Sequence, residues 1–380
     1  SYCLAQCISF KDEVLICGGY KTNDCYSYHT LQKKYKYICS YPADVELIGH
    51  CVVKIKQTDD VIHLLSFGGQ GCETVKQTFV MKYKSVWNDI SNVDSKEDNQ
   101  EFNIWIKNDN NKNIGKYKEN LKGAKGLICG QNDDLLFITY YPKNIKIINL
   151  NDMSEIHQNK IEISCNNYNF GYHCFEKLEK NTFILFCNNA GMSIEYDEFK
   201  NKISYEERLC FRDLDISVSS FIYLYDYIFL FGGKDKIDEK TVKSIYKYSI
   251  SYRRWTKCDF TLPIELSSSF AIFSDHNAKV RIIGGQNNNE EMKIHLIMDV
   301  ESIFDMSDLV NSADKYKTIG YDNIIPKEIE DQKEKIIQLK SKLEKLDKEE
   351  EKIDLNKIEW LEIWCSDDYH IILKIFQMIL

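Results

Sequence analysis

The sequence predicts an all-β fold of six four-stranded units around one axis, continued by a helical tail, and three observations predict it. Four short apolar runs end in a double glycine: Val14 to Gly19, Val61 to Gly69, Tyr227 to Gly233 and Val280 to Gly285. The first two glycine pairs are about 50 residues apart, as are the last two, which is the repeat length of a four-stranded propeller blade. From Pro326 onward the composition turns to Lys, Glu, Ile and Leu with apolar residues at heptad spacing.

The glycines Gly18, Gly19, Gly68, Gly69, Gly232, Gly233, Gly284 and Gly285 mark the ends of the second strands of units one, two, five and six. Stepping through the long gap at the same period finds two more runs of the kind. Leu135 to Ile138 leads into Thr139-Tyr140, and Ile184 to Cys187 leads into Asn188-Asn189. Asparagine keeps the positive-φ option that glycine offers, whereas Thr139-Tyr140 does not, so unit three departs furthest from the repeat. Innermost strands precede each run, at Cys3 to Phe10, Gly49 to Ile55, Gly126 to Cys129, Tyr172 to Leu178, Ser219 to Leu224 and Ser268 to Phe273. Their small residues suit the taper toward an axis.

Third and outer strands follow by alternation. In unit five, Ser244 to Ile250 and then Arg253-Arg254-Trp255 place Tyr248 and Trp255 for packing between units; Tyr28 and Tyr35 take these places in unit one, and Tyr196 and Ile203 in unit four. Unit two has Trp105 in an outer strand expected at Phe102 to Ile106, followed by a polar loop from Lys107 to Asn120. Unit six offers Met292 to Val300 and a poor outer strand at Ser302 to Met306, so its fourth strand could come from residues upstream of Ser1. The expected blades are therefore about 1–40, 48–107, 122–157, 170–205, 217–258 and 267–306, with an acidic, aperiodic insertion at 88–101. A linker follows at 307–325, an amphipathic helix or coiled coil at 326–359, and an apolar segment at 360–380.

The double glycines with Tyr248 and Trp255 resemble kelch repeats over roughly residues 1 to 305, and stretches such as Thr78 to Tyr83 and Ser193 to Asp197 resemble expanded kelch paralogues of protists with AT-rich genomes. The resemblance implies a β-propeller whose loops bind proteins, with no particular activity. Kelch domains also occur behind segments that recruit substrates for ubiquitin ligation, but no such segment lies in these residues. Copper-radical kelch enzymes need two His and two Tyr on a metal, and no such set is assigned.

A net charge of -9 disfavours a nucleic-acid partner. The 14 cysteines include Cys17, Cys51, Cys129, Cys187 and Cys210 inside apolar runs, where a thiol packs as a small hydrophobe. No asparagine has Ser or Thr two residues on, and no signal peptide or membrane span is evident, so a cytoplasmic location is expected. The chain opens directly in a strand at Ser1 and closes on an uncapped apolar segment, so truncation at both ends is expected.

Two functional readings remain open. The first is a non-enzymatic scaffold that binds a protein or peptide through residues just past the glycine slots: Tyr20, Lys21, Gln70, Tyr141, Lys234 and Gln286. The 326–359 helix could add self-association, or fold back alone. The alternative is a small-molecule or metal-dependent enzyme at the axial channel, with His50 and His173 as weak ligand candidates. A structural role for both is the blander expectation. Cys3 and Cys7 lack a second pair for a zinc site. No catalytic motif and no cofactor site is found, so none is expected.

Overall fold

The computed structural model describes residues 2–87, 101–108, 112–161, 170–187, 190–208, 214–215, 218–274, 279–288 and 290–304. The expected insertion up to 100, the linker, the 326–359 helix, the 360–380 segment, Asn188-Asn189 and Cys210 lie outside the described residues.

The architecture is a six-bladed all-β propeller. Blade one pairs Gln6–Phe10, Glu13–Gly19, Thr22–His29 and Lys34–Ser40 in sequence order. Blade two has His50–Gln57, Val61–Gly68, Phe79–Lys84 and Ile106–Lys107, and blade three has Asn120–Cys129, Leu135–Tyr141, Asn144–Asn149 and Glu155–Lys160. Cys174–Glu179, Thr182–Cys187, Ala190–Asp197 and Lys202–Arg208 form blade four. Ser220–Leu224, Tyr227–Phe231, Ser244–Ser249 and Arg254–Thr261 form blade five, and Phe270–Ser274, Lys279–Ile283 and His295–Asp299 form blade six. The innermost strands touch in cyclic order, the sixth against the first, which closes the ring.

Why the second strands read as continuous apolar runs is clear from their packing. Val14 and Ile16 face blade six, while Leu15 and Cys17 face blade two. Each sheet is thus covered on both faces, so period-2 alternation gives no polar side. Six buried clusters result, one in each wedge between neighbouring blades. Tyr28 lies opposite Tyr35, Tyr196 opposite Ile203 and Tyr248 opposite Trp255 in the antiparallel ladders.

The glycine pairs serve a close backbone approach. Gly232 has φ +62°, and a Cβ there would lie 2.1 Å from the Leu266 carbonyl oxygen on the segment leading into blade six. Gly233 donates its N–H to that same carbonyl at 2.9 Å. Gly69 does the same to Leu121 at 2.9 Å on the way into blade three. Blade three lacks the pair: its second strand runs on through Thr139 and Tyr140, and the Thr139 hydroxyl makes the link to blade four by bonding His173 Nε2 at 2.6 Å.

Near the axis, a chain of backbone hydrogen bonds joins the starts of the innermost strands. Gly123 N–H donates to Gly49 C=O and Tyr172 N–H to Gly123 C=O, both at 2.9 Å. Ser268 N–H donates to Val218 C=O at 2.6 Å and Leu4 N–H to Ser268 C=O at 3.1 Å.

Two expectations change. The outer strand of blade two is Ile106–Lys107, paired with Phe79 and Val80, and does not reach back to Phe102. Trp105 is buried just before it, stacked on Tyr41 at 4.6 Å. Where Ser302 to Met306 was expected as a strand, the chain makes a helical turn at Val300–Ile303, because this puts Ile303 and Phe304 into the wedge beside blade five, with Phe304 edge-on to Phe229 at 5.1 Å. Among the described residues blade six has three strands, and the upstream residues expected to offer a fourth are not part of the sequence.

Gly232→Ala is expected to lower unfolding free energy by about 1–3 kcal/mol, since it adds both a strained φ and a backbone clash. Gly171→Ala, with its nearest neighbour 3.5 Å away, should stay within about 0.5 kcal/mol. Urea unfolding of the two variants checks this; equal losses would refute the close-approach role.

Candidate functional site

Among the described residues, two places are candidate ligand sites: a cavity on the axis and the end of the ring that carries the connections following the second strands.

The axial cavity measures about 280 Å3 and is bounded by the innermost strands of blades four, five and six, with Lys125 from blade three. The Lys125 ammonium lies 6.0 Å from the centre of the Phe270 ring across the channel. Glu176 faces the same space. Burial pushes its carboxyl up to about 7, with Lys125 pulling the other way. Among the described residues, neither side chain has a hydrogen bond or ion pair of its own. Ser220 and Ser269, which bond each other, add hydroxyls to the wall.

The histidines singled out in the sequence are both fully enclosed, His50 at 1% and His173 at 0% exposure. His173 borders the cavity but its Nε2 is committed to Thr139. His50 is not among the cavity-lining residues; it packs edge-on to Tyr41 at 5.7 Å in the wedge between blades one and two. Burial lowers His50 to about 4 and His173 to about 3, so both are neutral imidazoles in the folded chain. Among the described residues no group of three or more His, Cys, Asp or Glu is placed to hold a metal.

At the loop end, the sequence-derived residues divide by exposure. Lys21 is exposed, with its ammonium 4.9 Å from the ring centre of half-buried Tyr20 and 3.5 Å from Glu291 of blade six. Tyr141 is 39% exposed. Lys234 and Gln286 are half-buried in two short ribbons, the first pairing with Asp215 and the second with Glu291. Gln70 departs from the expectation of a contact residue. It is buried, and its side-chain amide donates to the Glu46 carbonyl at 2.7 Å, so it braces the connection from inside.

Sequence reasoning missed the two most exposed apolar side chains at this end, Ile237 at 94% and Val75 at 66%. Neither is loose. Lys76, next to Val75, is buried, and its ammonium donates to the carbonyls of Gly71 and Thr74 at 2.7 Å each and of Tyr117 at 3.3 Å, which turns Val75 outward. Asp235 accepts the Ile237 N–H at 2.7 Å and the Asp238 N–H at 3.3 Å, a side-chain-braced turn that presents Ile237. Val75 and Ile237 lie in the connection after the second strand of blades two and five, and Tyr141 is the last residue of the second strand of blade three. The available signal was a lone aliphatic residue inside a polar loop, with an Asp two residues ahead in the case of Ile237.

Glu176 gives a pH test. Its carboxyl ionises near 4.5 when unfolded and near 7 when folded. The native state therefore binds the proton more tightly, and stability from this group falls as pH rises through that window and stays lost above it. Glu176→Gln keeps a neutral group there, so its urea midpoint should gain on the parent's as pH rises from about 4.5 to about 7. A difference that does not vary with pH would show that the cavity imposes no penalty on the charge.

No helix among the described residues is long and apolar enough to cross a membrane. No protein-family profile and no curated protein matches the sequence. Among solved structures, one described as "Structure of YjhT" superposes with a TM-score of 0.56 at 12% identity, covering 79% of this chain and 95% of that one. At that identity the likeness establishes the propeller fold and nothing finer.

Proposed function

We propose that this chain is a kelch-type propeller acting as a non-enzymatic scaffold, which binds a partner protein through an extended peptide laid across the loop end of the ring. The observation that carries this reading is the set of exposed tips Val75, Tyr141 and Ile237 on one end of three blades, with the loops of Val75 and Ile237 braced. A loop already fixed by side-chain hydrogen bonds, as by Lys76 and Asp235, loses little freedom on binding, which favours a contact surface over incidental exposure. Tyr20 and Lys21 extend the surface toward blade one, and Lys234 and Gln286 shape it over blades five and six. Self-association through 326–359 and a cytoplasmic location belong to the same proposal, and both nucleic acid and membrane are outside it.

The axial cavity favours a second reading, a small-molecule site in which Lys125 takes an anionic group and Glu176 a hydrogen-bond donor. The two readings separate by mutation.

Replacing Val75, Tyr141 and Ile237 together by Asp should weaken capture of the partner at least about tenfold with the melting temperature unchanged. Phe199→Asp, at the opposite end of the ring, should leave capture intact, as should Lys125→Met. Undiminished capture by the triple variant would move the interface off this end, and loss with Lys125→Met alone would favour the cavity.

A further inference from the structure

Blade one sets three cysteines side by side across adjacent strands: Cys17 opposite Cys25, and Cys25 opposite Cys39. Directly opposed residues of an antiparallel ladder have Cα atoms about 4.5–5.5 Å apart, inside the range of about 4.4–6.8 Å that disulfides occupy. Opposed side chains also share a face, and all three thiols lie on the side toward blade two. All three are free thiols. The Trp105 indole N–H donates to the Cys25 sulfur at 3.3 Å.

The three differ in surroundings. Burial opposes ionisation of Cys25, but hydrogen bonds from Cys17, Cys39 and Trp105 outweigh it and hold this thiol well below the ordinary range. Hydrogen bonding to Cys25 and burial together raise the other two. Cys17 and Cys25 are enclosed, whereas Cys39 is half-buried on the outermost strand, whose pairing carries an irregularity beside Cys25. Cys17 is followed by Gly18, where a Cβ would lie 2.7 Å from Leu47, so the backbone there has little room to adjust.

We propose that Cys25 and Cys39 form a reversible disulfide when the protein meets a hydroperoxide, their opposed positions on adjacent strands bringing the two sulfurs within bridging reach. The thiolate of one of the pair attacks a peroxide oxygen; the O–O bond breaks, the departing oxygen takes a proton, and a sulfenic acid remains on that sulfur. The other sulfur then attacks it, the S–S bond forms, the S–O bond breaks, and the hydroxyl leaves as water with the proton of the second thiol. Two thiols are oxidised and one hydroperoxide is reduced, to two waters in the case of hydrogen peroxide. The bridge ties the outermost strand of blade one to the strand beside it and alters the sulfur that Trp105 caps.

The test is to treat the full chain, folded, with hydrogen peroxide and map thiols and cross-links by mass spectrometry without reduction. Expected is a peptide linked through Cys25 and Cys39, reversed by dithiothreitol, absent from Cys39→Ser and retained in Cys17→Ser. Cys72, exposed outside the row, serves as the control for unselective oxidation. A bridge joining Cys17 to Cys25, oxidation confined to Cys72, or a full count of titratable thiols after treatment would each overturn the proposal, and the parent chain alone suffices to see any of them.

Discussion

Contact between blades six and one closes the ring of described blades, and the wedge geometry of the other blades rests on that closure. Blade six meets blade one through Tyr35, whose hydroxyl hydrogen-bonds His295 Nδ1 at 2.6 Å, through Tyr28, whose ring lies 4.4 Å from the His295 ring, and through Arg281, 5.4 Å over Tyr28. The Leu4 to Ser268 backbone bond and the packing of Gly284 against Tyr2 complete the seam. Its apolar cluster is the smallest of the six, with Ile283 the one fully buried apolar residue that blade six contributes to it. Burying Arg281 lowers its hold on a proton, and the faces of aromatic rings offset part of that cost. Without the seam, the inner surfaces of blades one and six would be wetted, and the other wedges would lose the geometry that a closed ring imposes.

Closure explains which parts of the fold were legible. A sheet covered on both faces must carry an unbroken apolar second strand, and a neighbour's backbone passing at its end excludes a Cβ; both leave marks that a repeat makes visible. Blade three was harder to read because the same junction is made there by a side chain, Thr139 to His173, and a hydroxyl–imidazole contact has no sequence signature. The helical turn at Val300–Ile303 was unreadable for another reason. Ser302 to Met306 has no periodicity of its own, and the reward for turning inward, burial of Ile303 and Phe304 beside Phe229, exists only in three dimensions.

The loop end was less legible than the frame. Position just past the glycines correctly located the connections but not the direction of their side chains. Gln70 turns inward because an unpaired carbonyl at Glu46 is there to be satisfied, and Val75 turns outward because Lys76 has three carbonyls to reach. Both outcomes follow from local hydrogen-bond demand, which outweighs the modest gain from burying one valine. His50 shows the converse: a residue type suggestive of chemistry, placed where the wedge needs a flat, neutral group against Tyr41.

The two faces of blade one carry separate duties, and strand alternation keeps them apart. Val14, Ile16 and Tyr28 hold the closing seam, whereas Leu15, Cys17 and Cys25 look into the wedge beside blade two. A change in the sulfur chemistry of the second face therefore acts first on Trp105 and the Tyr41 that it stacks upon, and through Tyr41 on Ser66, whose hydroxyl accepts a hydrogen bond from the tyrosine at 2.9 Å. Ser66 lies two residues before Gly68, on the strand that leads to the connection bearing Val75. The seam lies on the other side of the sheet and makes none of these contacts. Blade one is thus built so that its wedge with blade two can respond to a local change while the contacts that close the ring keep their own partners.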